Sequence, residues 1–123
     1  MTKTVLVIDD SELALEVIKD DLEDGGFTVL PVQSAQEGVE LLGAGKRPDI
    51  ILVDLIMPGI DGGAFCKMIK GRDDTKNIPV ILVSMKEEKE IRPIITAVGA
   101  DGFLWKANVS ARALTKLIEK LQI

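Results

Sequence analysis

Five polar residues close short apolar runs, and their types could do chemistry together. Asp9 ends the first run with Asp10 next to it, Asp54 ends the third, Ser84 ends the fourth and Lys106 ends the fifth. Three carboxylates close together in a neutral site would repel, and some would have to take up protons. A bound divalent cation relieves that repulsion. The donors are all oxygen, because the chain has no histidine and only one cysteine. Such a set favours a hard ion, with Mg²⁺ first. Lys106 would bring a second positive charge opposite the cation. Each residue alone has a plainer role. Asp10 or Ser11 could cap a helix, Asp54 could be a turn residue before Pro58, Ser84 could cap, and Lys106 could be solvated. Their joint placement points to one anionic site.

For these residues to meet, the runs that carry them must lie side by side and point the same way. The β-branched runs are 4–9, 28–32, 49–54, 79–84 and 102–106. The first, third and fourth are apolar nearly throughout, which suits parallel strands buried on both faces. Helical spacing lies between them. The expected inward stripes are Ala14, Val17, Ile18 and Leu22; then Ala35, Val39 and Leu42; then Ala64, Phe65, Met68 and Ile69. A short fourth helix is expected from about Pro93 to Val98, with Pro93 in its first turn and 86–92 as a loop. Leu114, Leu117, Ile118 and Leu121 mark the last helix. Strict β/α alternation implies a parallel sheet with helices on both faces. Right-handed crossovers leave few topologies, and the leading one is the flavodoxin-like (βα)5 fold with strand order 2-1-3-4-5. Ligands bind such sheets beyond the carboxyl ends of the strands, at the switch point between the first and third. All five polar residues fall on that edge.

Composition narrows the classes further. The 123 residues suit one domain, 1–123, with no linker, repeat or low-complexity stretch. A net charge of −5 argues against direct nucleic-acid binding, which needs a basic face. No apolar run is long enough to cross a membrane, and the amino terminus has no signal-peptide pattern. Cys66 is the only cysteine, so no internal disulfide can form, and a reducing compartment, the cytoplasm, is expected. Without histidine, the usual triads and zinc sites are absent. Related folds bind phosphate on glycine-rich loops at a helix start. Here that place holds Asp9-Asp10-Ser11-Glu12, which would repel bare phosphate. FMN and dinucleotides are therefore disfavoured, and phosphate would enter only with a metal. The last helix runs to the end without a linker, as expected of either a stand-alone protein or a piece trimmed from a longer one.

The ordered set Asp9-Asp10, Asp54, Ser84 and Lys106 resembles the active-site quintet of the response-regulator receiver domains (CheY-like) of two-component signalling. The run from Asp54 to Gly62 and the approach Gly99-Ala100-Asp101-Gly102-Phe103 are similar to that family's too. The resemblance implies a phosphorelay switch rather than an enzyme with an external substrate. It makes Asp54 the nucleophile and phosphoryl acceptor. Asp10, Asp54 and the backbone carbonyl of Ile56 would bind Mg²⁺, with Asp9 acting through water. Ser84 and Lys106 would contact phosphoryl oxygens, and Ser84 and Phe103 would form the switch. The donor would be a phosphohistidine on a sensor histidine kinase or phosphotransfer protein. The output would pass to a partner protein or domain, or to a phosphorylation-dependent homodimer, through a surface around Trp105.

Three positions depart from the family's usual residues: Ala107 for proline after the lysine, Met85 for a small residue, and Ser84 for threonine. The Lys106–Ala107 bond is therefore expected trans. Ile56, Lys86 and Met85 are expected to tune the lifetime of the phosphorylated state. Three readings compete. A receiver-like interaction module independent of phosphate conflicts with the intact quintet. An aspartate-based phosphatase needs a second aspartate two residues after the nucleophile, where Ile56 stands. Flavodoxin-like electron transfer lacks a phosphate loop and stacking aromatics.

Overall fold

The computed structural model describes residues 2–57, 59 and 61–123. Pro58 and Ile60, in the run after Asp54, lie outside the described residues. The strands are β1 (Thr4–Ile8), β2 (Thr28–Val32), β3 (Ile50–Asp54), β4 (Val80–Ser84) and β5 (Gly102–Trp105). The helices are α1 (Glu12–Asp24), α2 (Ala35–Gly43), α3 (Gly62–Lys70), α4 (Glu88–Val98) and α5 (Ala111–Leu121). All neighbouring strands pair in parallel, in the order β2-β1-β3-β4-β5. The sheet is thus the flavodoxin-like (βα)5 arrangement that the strand and helix patterns predict.

Strand alternation sends side chains to two apolar layers. Leu6, Ile8, Ile51, Val53, Val80 and Leu82 pack with Phe65, Ile69 and Ile91 beneath α2, α3 and α4. Val5, Val7, Ile50, Leu52, Ile81 and Val83 pack with Leu15, Ile18, Leu22 and Leu114 beneath α1 and α5. Full burial of each such side chain is worth about 1.5–3 kcal/mol. The register of the central pair is pinned at its start. The Asp49 carboxylate accepts the Thr4 N–H at 2.7 Å, and the Asp49 N–H donates to the Thr4 carbonyl at 2.8 Å.

Three helical expectations need correction. In α1 the buried stripe is Leu15, Ile18 and Leu22, while Val17 is 62% exposed. The segment carries apolar residues at 13, 14, 15, 17, 18 and 22, so two overlapping stripes were open to it. In α3 the inward residues are Phe65, Cys66 and Ile69, with Ala64 and Met68 outside. α4 begins five residues earlier than expected, and Pro93 lies within it. Ile91 is fully buried and anchors the first turns, and Arg92 pairs with Glu88 at 3.2 Å. The bond Pro93 cannot make would have gone to the Lys89 carbonyl, on an exposed stretch where water can serve it. Gly99 ends α4 at φ 76°, a conformation that favours glycine.

Candidate functional site

At the carboxyl edge of the sheet, β1 turns into α1 through Asp9, Asp10 and Ser11. Ser11 takes the cap: its Oγ accepts the Ala14 N–H at 3.2 Å. Asp10 is thereby free of capping, and it is exposed. Asp9 is buried. Its Oδ1 accepts the Ser11 N–H at 2.9 Å, and its Oδ2 lies 3.0 Å from Lys106 Nζ. Asp54, also buried, ends β3. Its Oδ1 accepts the Ile56 N–H at 3.2 Å, and its Oδ2 accepts from Lys106 Nζ at 2.7 Å.

The carboxylates of Asp9, Asp10 and Asp54 each present an oxygen within 4.8 Å of the others. The two buried ones share a single ammonium, that of Lys106. Three carboxylates against one ammonium leave two formal negative charges. The donor set is all oxygen and partly open to solvent through Asp10. A hard divalent cation fits both the charge and the donor chemistry. Lys106 responds to the same field. Burial opposes its charge, but the hydrogen bonds and negative charges of Asp54 and Asp9 outweigh that cost. They hold its pKa above the ordinary lysine value.

Ser84 ends β4 beside this cluster and is buried, its Oγ accepting the Lys86 N–H at 3.1 Å. The side chains of Ile56, Met85 and Lys86 are exposed just past the ends of β3 and β4. Lys106 lies just beyond β5, at the start of a short 3₁₀ turn, Lys106–Asn108, that includes Ala107. All peptide bonds among the described residues are trans, Lys106–Ala107 included. Phe103 is half-buried against the layer of α3 and α4. Trp105 is 51% exposed on the edge strand β5, as its place in the sheet predicts. The structure therefore brings Asp9, Asp10, Asp54 and Lys106 together, with Ser84 buried at the end of the neighbouring strand β4. Phe103 and Trp105 stand apart from them on β5.

One contact had no signal in the sequence. The Trp105 indole N–H donates to the Met85 backbone carbonyl at 3.0 Å. A backbone acceptor carries no residue-type signature, so only the fold reveals it.

An acidic cluster at the switch point of a doubly wound sheet, paired with a lysine just past the last strand, is the architecture of a signalling receiver module. The chain belongs to the response regulator receiver domain family, whose model matches residues 5–119. That family provides the phosphoacceptor module of two-component signalling and works with histidine kinases and output domains. The chain is similar to the phosphate regulon transcriptional regulatory protein PhoB of Pseudomonas aeruginosa, at 31% identity over 104 residues. That match covers 85% of this chain and 45% of PhoB, so the chain spans less than half the length of that relative. It is 32% identical over 93 residues to the polar-differentiation response regulator DivK of Brucella ovis, covering 73% of this chain and 75% of DivK. Among solved structures, the chemotaxis protein CheY4 of Vibrio cholerae superposes with a TM-score of 0.86 at 26% identity, covering 98% of this chain and 99% of that one.

Proposed function

We propose that residues 1–123 act as one receiver domain whose Asp54 accepts a phosphoryl group from a phosphohistidine, with Mg²⁺ as cofactor. The observation that carries this reading is the triple carboxylate cluster with Lys106 bonded to Asp54. Asp10, Asp54 and the carbonyl of Ile56 would hold the ion directly, and Asp9 through water. Bound there, Mg²⁺ supplies charge neutralisation and a template for in-line phosphoryl transfer.

The chain's own groups do the rest. An Asp54 carboxylate oxygen forms the new bond to phosphorus as the phosphorus–nitrogen bond of the donor breaks, and the imidazole leaves with that electron pair. Lys106 already contacts Asp54 Oδ2, so its ammonium is in place to follow the charge onto a phosphoryl oxygen. Ser84 would donate its hydroxyl to a second phosphoryl oxygen. Phe103 would respond as the switch aromatic, and the face around Trp105 would engage an output partner or a second copy of the chain. The donor would be a sensor histidine kinase or a phosphotransfer protein, and the compartment the cytoplasm. The chain would act as a phosphoacceptor that assists its own phosphorylation and dephosphorylation.

Acetyl phosphate with Mg²⁺ tests the reading. Intact-mass measurement should show one added phosphoryl group in the unmodified chain and none in Asp54→Asn. Equal labelling of both would falsify the assignment of the acceptor.

A further inference from the structure

The loop leaving β4 is held through a single peptide unit. Its N–H, that of Lys86, donates to Ser84 Oγ at 3.1 Å. Its C=O, that of Met85, accepts the Trp105 indole N–H at 3.0 Å. A peptide unit is planar and rigid, so its two ends cannot move independently. The buried Ser84 hydroxyl and the exposed Trp105 ring are thus joined by one stiff link. The ladder supports the same geometry, because Ser84 and Trp105 are register partners across β4 and β5. Met85 itself is 61% exposed, so the indole bond, not packing of the Met85 side chain, fixes the outer end.

We propose that Trp105 is a positioning residue for the phosphoryl site: through the Met85–Lys86 peptide its indole holds the Ser84 hydroxyl in its present bond and so favours the unphosphorylated form. This rests on the reading of Asp54 as phosphoacceptor. A serine hydroxyl can accept one hydrogen bond while donating another, so Trp105 opposes phosphorylation only if Ser84 Oγ leaves the Lys86 N–H as it swings onto a phosphoryl oxygen. The peptide then loses its inner anchor and reorients, which strains or breaks the indole bond. Coupling of this kind is reciprocal. A partner that captures the indole N–H loosens the same peptide and promotes phosphorylation.

The chain has one tryptophan, so its indole N–H gives a single NMR resonance. Beryllium fluoride with Mg²⁺ serves as the phosphoryl analogue. At saturation the indole resonance should shift upfield and its exchange with solvent should quicken. Trp105→Phe keeps a ring and removes the donor. It should bind beryllium fluoride about two- to tenfold more tightly, as expected for loss of one ordinary hydrogen bond from the unliganded form. A merely structural role predicts the opposite sign, weaker binding. An unmoved indole resonance, or unchanged or weaker binding by Trp105→Phe, overturns the proposal. Should that variant fail to fold, the resonance of the unmodified chain decides. If acetyl phosphate adds no mass to the unmodified chain, the phosphoacceptor reading fails and takes this inference with it. If mass is added and the indole stays unmoved, only this inference fails.

Discussion

Asp9, Asp10 and Asp54 are held together at a cost, and single substitutions expose it. Asp10 is exposed and has no cap to serve, so removing its charge relieves repulsion without breaking a contact. In metal-free buffer, Asp10→Asn should melt higher than the unmodified chain, by up to a few degrees. In Mg²⁺ the order should reverse, because the variant lacks one of the proposed ligands. Calorimetry with and without the ion reads both signs, and a variant less stable in each condition would remove the argument. Cys66 makes a separate point. Burial pushes its thiol up to about 11 from the ordinary 9.0, partly offset by the charge of Lys70, with Asp101 adding to the rise. An acid whose folded pKa is raised stays protonated in the native chain while the unfolded chain releases its proton. Stability from this group is therefore unaffected below pH 9 and falls between pH 9 and 11. The loss across that window is about 2–3 kcal/mol. Denaturant titrations should show a steeper decline above pH 9 in the unmodified chain than in Cys66→Ala.

The elements differ in how much tertiary structure overrides local pattern. β1, β3 and β4 are short, apolar and bounded by polar residues, so their type and ends are plain in the sequence. The cleft inherits that clarity, because its residues are the strand ends. α1 is less determinate: its apolar residues cover more than one face, and packing against β1, β2 and α5 decides which is buried. In α4 a proline misleads, since an interior proline is tolerated where its orphaned carbonyl faces water. Pro93→Ala should restore that bond and stabilise the chain by about 1–3 kcal/mol in chemical denaturation. Slower amide exchange within α4 should accompany it. The start of α3 is the opposite case. A Cβ at Gly62 would overlap the carbonyl oxygen of Asp54. Gly62→Ala should therefore cost stability and disturb metal binding together, which a melting curve and an Mg²⁺ titration of the same sample can compare. Gly62 falls in the run that resembles the family's, but neither the carbonyl it must clear nor the Trp105–Met85 bond announces itself in the sequence, because both depend on where backbone passes.

At the scale of the molecule, the proposed Mg²⁺ site would make folding and ion binding one equilibrium. A ligand held only by the native state stabilises it by RT ln(1 + [L]/Kd), about 1.4 kcal/mol at ten times Kd. Mg²⁺ should therefore raise the melting temperature of the whole domain by several degrees, and Asp54→Asn should abolish most of that rise. Monovalent salt at equal ionic strength is the control, since it screens the net charge of −5 without entering the cleft.

The paired bonds between Thr4 and Asp49 carry a consequence for the pathway by which this domain forms. They join positions 45 residues apart, and β1 can reach β3 only after the intervening segment has been gathered in. Closing so large a loop before any of its contacts reward it is an entropic barrier, and sheets built from distant pairings assemble slowly. Refolding should then be limited by docking of β1 on β3, with the outer strands following. Asp49→Ala should slow the folding limb of a chevron more than it speeds unfolding. The carboxyl edge of the sheet, where the chemistry sits, would be completed only after this opposite edge has been fastened.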